Sequence, residues 1–284
     1  MTAPPLKWAG GKRNLLNKLE PLLSGKATED NKFIDAFAGA GSVSIAMLNH
    51  FKTVIYNDTN PEIINVMNTI KNQPHALIEH LKEAEDLNSK SYFMDVRAWD
   101  RQKNFKLINN VKRAMRTIYL NKTCYNGLYR VNLKGQFNVP YGKYKNPNIV
   151  NEANILALST LFNEKSIHFF DKDYSIVIDK AQAGDVVYFD PPYHQNSPNY
   201  FTAYNEKIFD EKDHERLKHD FDKLTEKNVY AVISNSSTDF ILELYKKYIN
   251  KKSIIKVQKS VGAKANSRKK VDEVLITNFK HVKG

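Results

Sequence analysis

The 284-residue chain contains a single cysteine, Cys124, and no run of about 18 apolar residues. One cysteine cannot form an internal disulfide, and no Cys or His cluster has the spacing of metal ligands, so neither a disulfide framework nor a zinc site is expected. The start MTAPPLKWAGGK lacks the apolar core of a secretory signal peptide. We therefore expect a globular, cytoplasmic protein without a metal and without a membrane partner.

Acidic residues are missing from two long stretches of the chain. Residues 101–151 contain 11 Lys and Arg and no Asp or Glu, and residues 250–271 contain 8 and again no acid. The whole chain has a net charge of +12, yet the remaining 24 basic and 31 acidic residues are net negative. Such segregation is typical of a face that binds a polyanion. Nucleic acid fits this face better than an anionic membrane, because neither stretch forms a long amphipathic helix.

The two ends of the chain alternate between strand and helix signals. A helical stretch at 42–51 lies between the first two apolar runs, which predicts a βαβ unit and a parallel sheet. We expect an α/β protein with a doubly wound, mostly parallel seven-stranded sheet and further helices around 210–226 and 238–248. The predicted strands cover residues 32–37, 53–58, 166–171, 185–190, 229–235, 252–258 and 273–279.

The middle of the chain has a different character. Residues 61–160 predict three helices followed by NGLYRVNLKGQFNVPYGKYKNP, a loop or hairpin rich in Gly, Asn and Tyr. We interpret 61–160 as an inserted target-recognition domain, and 1–60 with 161–284 as the catalytic domain. Several basic side chains of the insertion are expected to face phosphates or solvent, namely Lys112, Arg113, Arg116, Lys122, Lys134, Lys143 and Lys145.

The string VVYFDPPYHQ at 186–195 ends an apolar strand on an acid, two prolines and an aromatic residue. Proline has no N–H for the strand ladder, so the strand must stop here. The prolines also fix the backbone, and thereby the orientation of Asp190 and of the Pro191 carbonyl. Tyr193 adds a flat face beside these two acceptors. An ordinary proline turn with a solvated Asp190 is the simpler alternative.

Two further turns point to a ligand. DAFAGAGSVS at 35–44 places Gly39 and Gly41 between a strand and a helix, where backbone N–H groups can approach a ligand closely. Asp58 ends the next strand about 20 residues on, where an acid can accept hydrogen bonds from ribose hydroxyls. Each feature alone has a simpler explanation: a tight turn without a ligand for the glycines, and a helix N-cap before Pro61 for Asp58. Together the two features favour an adenosyl-type ligand.

The chain as a whole resembles the Dam family of DNA adenine-N6 methyltransferases. The resemblance rests on the order of LKWAGGK, DAFAGAGS, NDTN, YNGLYRVN, GQFNVPYGKYKNP, YFDPPY and GAKANSRKKVDEVLITN. It implies a methyltransferase sheet, S-adenosyl-L-methionine as cofactor, double-stranded DNA as partner and GATC as the target site; no obligate protein partner is inferred. The implied catalytic residues are Asp190, Pro191, Pro192 and Tyr193. The implied cofactor-binding residues are Trp8, Gly11, Lys12, Phe37, Gly39, Asp58, Asp173, Tyr174 and Asp190.

The target atom explains what the catalytic string would do. The exocyclic nitrogen of adenine is a poor nucleophile, because its lone pair is delocalised into the ring, but it has two hydrogens that Asp190 and the Pro191 carbonyl can hold. Tyr193 would stack on a base flipped out of the duplex. The expected DNA contacts are Lys7, Tyr125, Asn126, Leu128, Arg130, Lys134 and Tyr144. Methylation of cytosine N4 or of an RNA base, and DNA binding without turnover, remain the alternatives.

Overall fold

A seven-stranded sheet forms the centre of the protein, whose computed structural model describes residues 2–8, 10–195, 209–250, 253–258 and 270–280. The strand order is β3-β2-β1-β4-β5-β7-β6. The first five strands in this order are parallel, and β7 runs antiparallel to β5 and β6. The strands are β1 (Lys32–Asp35), β2 (Thr53–Asn57), β3 (Ser166–Phe170), β4 (Val186–Phe189), β5 (Tyr230–Ser236), β6 (Ile254–Gln258) and β7 (Lys270–Thr277). The predicted mostly parallel seven-stranded sheet is confirmed.

Alternate residues of each strand face the two sides of the sheet. Phe33 and Val54 belong to one buried cluster, whereas Ile34 and Ile55 belong to another. Because both faces are covered by helices, the central strand β4 is apolar and buried along its whole length. The helices are α1 (Leu16–Ser24), α2 (Ser42–Met47), α3 (Pro61–Asn72), α4 (Pro74–Asp86), α5 (Lys90–Ala98), α6 (Asn110–Thr123), α7 (Glu152–Glu164), α8 (Tyr174–Ile178), α9 (Glu211–Glu226) and α10 (Asp239–Leu244). Within the described ranges, no helix is long and apolar enough to cross a membrane.

The middle segment contains one helix more than the sequence predicts before its loop. Four helices, α3 to α6, precede the loop, and α7 follows it. The prediction of three was wrong because α3 and α4 are separated by Gln73 alone, and Pro74 occupies the first turn of α4, a position that proline tolerates. Leu77, Phe93 and Val111 share a buried cluster with the strand residue Phe33. The helices of this segment therefore share one continuous hydrophobic core with that face of the sheet, and α3 and α7 lie against β3.

The strand directions bring distant residues to one edge of the sheet. The parallel strands β1, β2 and β4 end at Asp35, Asn57 and Phe189. The carboxyl ends of parallel strands lie at the same edge, where α/β proteins bind ligands. β7 is antiparallel, so its first half lies at this edge as well, with Glu273 opposite Ser236 near the end of β5. The site described next lies along this edge.

Candidate active site

Asp190 follows β4 directly and forms an ion pair with Lys12. The Lys12 ammonium lies 2.7 Å from Asp190 Oδ1 and also donates to the Gly10 carbonyl at 2.8 Å. Burial raises the pKa of the Asp190 carboxyl to about 6, and the neighbouring Lys12 limits that rise. Asp190 is therefore largely ionised at neutral pH and can act only as an acceptor.

Tyr193 lies on the other side of the same ammonium. Lys12 Nζ is 4.7 Å from the centroid of the Tyr193 ring, within the range of a cation–π contact. The Tyr193 hydroxyl donates to Glu273 Oε2 at 2.8 Å. Between Asp190 and Tyr193, the Pro191 residue is buried and Pro192 is exposed. Three residues expected in the site thus meet in the structure, together with Glu273, which the sequence analysis did not identify.

Asp35, the last residue of β1, is a second residue that the sequence analysis missed. Its side chain is only 1% exposed; Oδ2 accepts from the Ser44 hydroxyl at 2.6 Å, and Oδ1 has no hydrogen-bond partner in the described part of the chain. Burial raises the pKa of Asp35 to about 7, and Asp190 and Asp58 add to the rise while Ser44 opposes it. Its position at the end of a strand, directly before a glycine-rich turn, was the signal available in the sequence.

Asp58 links the glycine turn to the start of α3. Its Oδ2 accepts from the Gly39 N–H at 3.0 Å, and its Oδ1 accepts from the Asn60 N–H at 2.8 Å. Burial raises the pKa of Asp58 to about 6, although both backbone donors act to lower it. The N-cap of α3 is Asn60, whose side chain accepts from the Glu62 N–H at 3.0 Å. The alternative that Asp58 is an N-cap was therefore wrong, and this carboxyl instead joins the glycine turn to the residue that caps α3.

Aromatic rings flank this edge of the sheet. The rings of Trp8 and Tyr129 lie 5.1 Å apart, and the Gly11 N–H donates to the Trp8 carbonyl at 3.2 Å. On the other face of the sheet, the Phe37 and Tyr174 rings lie 5.2 Å apart.

The expected cofactor residue Asp173 is engaged elsewhere. It caps α8 through the Ser175 N–H and forms an ion pair with Arg216. A role for Asp173 in ligand binding would therefore compete with these two contacts, whereas Tyr174 stays beside Phe37.

The loop between α6 and α7, called the recognition loop after its predicted role, begins with a tight turn at YNGL. Asn126 and Gly127 have φ values of 56° and 62°, and the Leu128 N–H donates to the Tyr125 carbonyl at 3.3 Å. Two central residues with positive φ define a type I′ turn, for which Asn-Gly is the preferred pair. This turn opens the predicted loop or hairpin, and the Tyr125 side chain beside it is 45% exposed.

Arg130 lies on a hairpin-like part of the loop. Its Nε donates to Asn138 Oδ1 at 2.7 Å, and the Asn138 N–H donates to the Arg130 carbonyl at 3.0 Å. Asn132 Oδ1 braces the tip by accepting from the Lys134 and Gln136 N–H groups, both at 3.0 Å. Arg130 and Lys134 are exposed and form no ion pair among the described residues. Both cations are thus available to an anionic partner.

Two arginines of the acid-free stretch face the interior instead. Arg113 forms an ion pair with Glu62, and Arg116 lies 2.7 Å from Asp100 and is itself buried. The expectation that Arg113 and Arg116 face phosphates or solvent was wrong, because their partners lie outside the acid-free stretch. Lys122 is also partly buried, and burial, Lys7 and Arg13 all lower the pKa of its ammonium.

One buried amide joins the N-terminal segment to the recognition turn. Asn121, on α6, accepts from the Lys7 N–H at 2.7 Å and donates to the Lys7 carbonyl at 2.8 Å. The same Nδ2 lies 3.1 Å from the Gly127 carbonyl. The Lys7 ammonium reaches the Tyr144 ring, 5.2 Å from its centroid. The expected DNA-binding residues Lys7 and Tyr144 therefore lie beside the turn that carries Tyr125 and Asn126.

Comparison with known proteins gives one consistent result. Residues 8–262 match the family of D12 class N6 adenine-specific DNA methyltransferases. A type II methyltransferase of Lactococcus lactis subsp. cremoris, M1.LlaDCHI, is 41% identical over 277 residues, which cover 97% of this chain and 95% of that protein. M.MjaIII, a type II methyltransferase of Methanocaldococcus jannaschii, is 39% identical over 97% of this chain and 99% of its own length. The DNA adenine methylase of Escherichia coli K12 is 32% identical over 95% and 93% of the two chains.

A distant likeness is also found among solved structures. SMU.1697c of Streptococcus mutans, crystallised in complex with SAH, is 10% identical and aligns with a TM-score of 0.37 over 94% of this chain and 99% of that one. No group of three or more metal-ligating side chains occurs among the residues described here. The family match and the near full-length relatives decide the matter: the chain belongs to the D12 class of N6 adenine-specific DNA methyltransferases.

Proposed function

We propose that the protein methylates the N6 atom of adenine in GATC sequences of double-stranded DNA, with S-adenosyl-L-methionine as methyl donor and with the target base flipped out of the duplex. The observation that carries this proposal is the cluster of Asp190, Lys12 and Tyr193 at the carboxyl edge of the sheet. It combines an ionised acceptor with an aromatic face in a partly buried position. These are the two features that an exocyclic amino group and its base require.

The charge of this edge suits the proposed cofactor. Asp35, Asp58 and Asp190 are carboxyls whose pKa values are raised mainly by burial, and Asp35 Oδ1 lacks a partner among the described residues. A cationic ligand would offset this cost, and S-adenosyl-L-methionine supplies a methyl group activated by a positively charged sulfonium. The residues proposed to line its site are Trp8, Gly11, Lys12, Phe37, Gly39, Asp58, Asp173, Tyr174 and Asp190.

The chain's own groups then prepare the amino nitrogen. Asp190 Oδ and the Pro191 carbonyl would accept hydrogen bonds from its two N–H groups, which favours a pyramidal nitrogen and stabilises the positive charge that develops as the nitrogen–methyl bond forms and the methyl–sulfur bond breaks. The surplus proton of the methylated nitrogen would then pass to Asp190 or to water. Pro191 and Pro192 keep both acceptors in place because their φ angles are fixed. Tyr193 holds the ring plane of the base by stacking. Lys12, which now pairs with Asp190, keeps this carboxylate ionised until the amino group arrives.

The recognition loop supplies the proposed sequence reading. Arg130 has a guanidinium fork that matches the O6 and N7 atoms of guanine, and Asn126 is the residue type that reads an adenine edge. The type I′ turn presents Tyr125 as a wedge beside the flipped base. Lys7, Leu128, Lys134 and Tyr144 are proposed to complete the contact with DNA, with the lysines on phosphates.

The test of the reaction is transfer of a labelled methyl group to duplex DNA, followed by digestion to nucleosides. N6-methyladenine as the labelled product supports the proposal. Label in N4-methylcytosine, or in an RNA substrate offered in parallel, would replace it with one of the other base methylations, and absence of label with retained DNA binding would indicate a binding protein.

The test of the target site is single-molecule mapping of plasmid DNA from a methylation-deficient host that expresses the protein. We expect modification of the adenine in GATC. Consistent modification of adenine in another sequence would overturn the GATC assignment and leave the adenine-N6 activity intact. Fluorescence of 2-aminopurine at the target position tests base flipping separately, since the signal rises when the base leaves the stack.

A further inference from the structure

We propose that Glu273 is a positioning residue that fixes the orientation of the Tyr193 ring against the target base. The inference rests on the proposed function, because it gives Tyr193 a base to hold. Glu273 lies on β7, far along the chain from the recognition loop. The proposal adds it to the proposed catalytic residues that follow β4.

The topology of the sheet places Glu273 within reach of Tyr193. β7 is antiparallel to β5, with Glu273 opposite Ser236, the last residue of β5. An antiparallel strand begins at the edge where its parallel neighbours end, so the start of β7 lies beside the residues that follow β4. Glu273 is 9% exposed, and its Oε2 accepts from the Tyr193 hydroxyl at 2.8 Å.

This hydrogen bond and the Lys12 ammonium restrain different motions of the ring. A tyrosine ring is attached at its Cβ, and its hydroxyl lies on the axis about which the ring rotates. Holding the hydroxyl on Glu273 therefore prevents the ring from swinging about χ1, but it leaves rotation about that axis free. The Lys12 ammonium, 4.7 Å from the ring centroid, favours one plane of the ring and so restrains the remaining rotation.

The charge of Glu273 indicates that its role is the hydrogen bond rather than electrostatic support of catalysis. Burial is the main cause that raises the pKa of Asp190, and the Glu273 carboxylate adds to this rise, so it opposes ionisation of the catalytic acceptor. Burial, Asp190 and Glu273 also raise the pKa of the Tyr193 phenol, which keeps its O–H intact as a donor. A neutral acceptor at position 273 would serve the ring equally well. Comparing a neutral acceptor at position 273 with no acceptor there therefore separates a positioning role from a role of the negative charge.

The test compares Glu273→Ala, Glu273→Gln and Tyr193→Phe, with the exposed Glu243→Ala as matched control. Loss of a hydrogen bond to a charged group corresponds to a loss of about 10-fold or more. We expect Glu273→Ala and Tyr193→Phe each to lower kcat by about 10-fold, with KM for the cofactor unchanged. Glu273→Gln should retain most of kcat, and Glu273→Ala combined with Tyr193→Phe should be no worse than either change alone. Full additivity of the two losses, or normal kcat in Glu273→Ala, would overturn the positioning role.

A readout that needs no methylation separates this inference from the proposed function. Site-specific 3-fluorotyrosine at position 193 reports the phenol by ¹⁹F NMR in the cofactor-free protein. In Glu273→Ala we expect the ¹⁹F titration to move to lower pH and the resonance to narrow as the ring becomes free. If the ¹⁹F resonance changes in Glu273→Ala as expected but the wild-type protein methylates no adenine, only the proposed function is contradicted. If the ¹⁹F signal is identical in the wild type and the variant, the contact between Tyr193 and Glu273 is contradicted.

Discussion

The carboxylate of Asp190 lies 2.7 Å from the Lys12 ammonium, which opposes the rise in its pKa that burial causes, and the proposed mechanism makes this carboxylate the acceptor on which turnover depends. We expect Asp190→Ala to cost at least about 3 kcal/mol in the chemical step, about a 100-fold loss in kcat, similar to removal of one charge-stabilising group in other active sites. Single-turnover rates measure this loss. DNA affinity, measured by anisotropy, should change little. Asp179→Ala, an exposed carboxyl at the end of α8, is the control, and a rate for Asp190→Ala near that of the control would contradict the mechanism.

Three carboxyls with raised pKa values make cofactor binding sensitive to pH. The pKa is about 7 for Asp35 and about 6 for Asp58 and Asp190, in each case chiefly through burial. Below pH 5 all three are largely protonated and attract a sulfonium weakly; as pH rises to 8 they ionise, so affinity for S-adenosyl-L-methionine should rise by about 10-fold and then level. Calorimetry between pH 5 and 8.5 measures this affinity. The neutral thioether product is the control ligand, and equal pH dependence for both ligands would disprove the electrostatic account.

Arg130 and Lys134 lie four residues apart on one loop but are expected to act differently. The guanidinium of Arg130 matches guanine bidentately, so Arg130→Ala should lose about 1–3 kcal/mol of discrimination at the first base of GATC. Lys134→Ala should weaken binding to all sequences alike, as loss of a phosphate contact does. Competition assays on oligonucleotides with single substitutions compare the two variants. Uniform weakening in Arg130→Ala, with its preference for guanine intact, would assign Arg130 to the backbone.

The type I′ turn at Asn126 and Gly127 is the element that carries Tyr125, another proposed DNA contact. Gly127 has φ 62°, and a Cβ at this position would lie 2.5 Å from Lys7 Cδ and 2.9 Å from Lys7 Cβ. We expect Gly127→Ala to destabilise the protein by about 1–2 kcal/mol and to weaken DNA binding at the same time.

Gly184→Ala is the matched control for this change, since Gly184 also has positive φ but an added Cβ meets no atom within 4 Å. It should lose stability and keep its DNA affinity. Thermal unfolding and anisotropy of labelled duplex measure the two properties. Normal DNA affinity in Gly127→Ala would show that the turn does not position the loop.

The strands were predictable because burial on both faces makes them short apolar runs. The turn at Asn126 and Gly127 follows from a different local property, since Asn-Gly readily adopts the positive φ values of a type I′ turn. The Asp190 to Tyr193 string could be identified because its residue types restrict the backbone locally. Asp35 had only the positional signal of a strand end before a glycine-rich turn. Glu273 could not be identified from local residue types, since the order and direction of the strands decide its neighbours. The error over Arg113 has the same origin, because its partner Glu62 lies 51 residues away in sequence.

The basic charge of the chain as a whole predicts a strong dependence of DNA binding on salt. Some cations of the acid-free stretch are neutralised inside the fold, as Arg113 and Arg116 are, so only the remainder can meet phosphates. With about five to eight phosphates engaged, the log–log slope of affinity against salt should lie at about −4 to −7. Anisotropy titrations at fixed cofactor measure this slope. Lys134→Ala should reduce it by about 1, and a flat response in the wild type would rule out the basic stretches as a DNA-binding face.

Asn121 holds Lys7 and Gly127 with one side-chain amide, and thereby connects the proposed cofactor site to the proposed DNA-binding turn. The segment that contains Lys7 leads directly to Trp8 and Lys12, and the turn that contains Gly127 carries Tyr125 and Asn126, two of the proposed DNA contacts. If binding of one ligand strengthens binding of the other through this connection, the second ligand must strengthen binding of the first by the same free energy, since thermodynamic linkage is reciprocal. A duplex that favours cofactor binding is therefore itself held more tightly while the cofactor is bound.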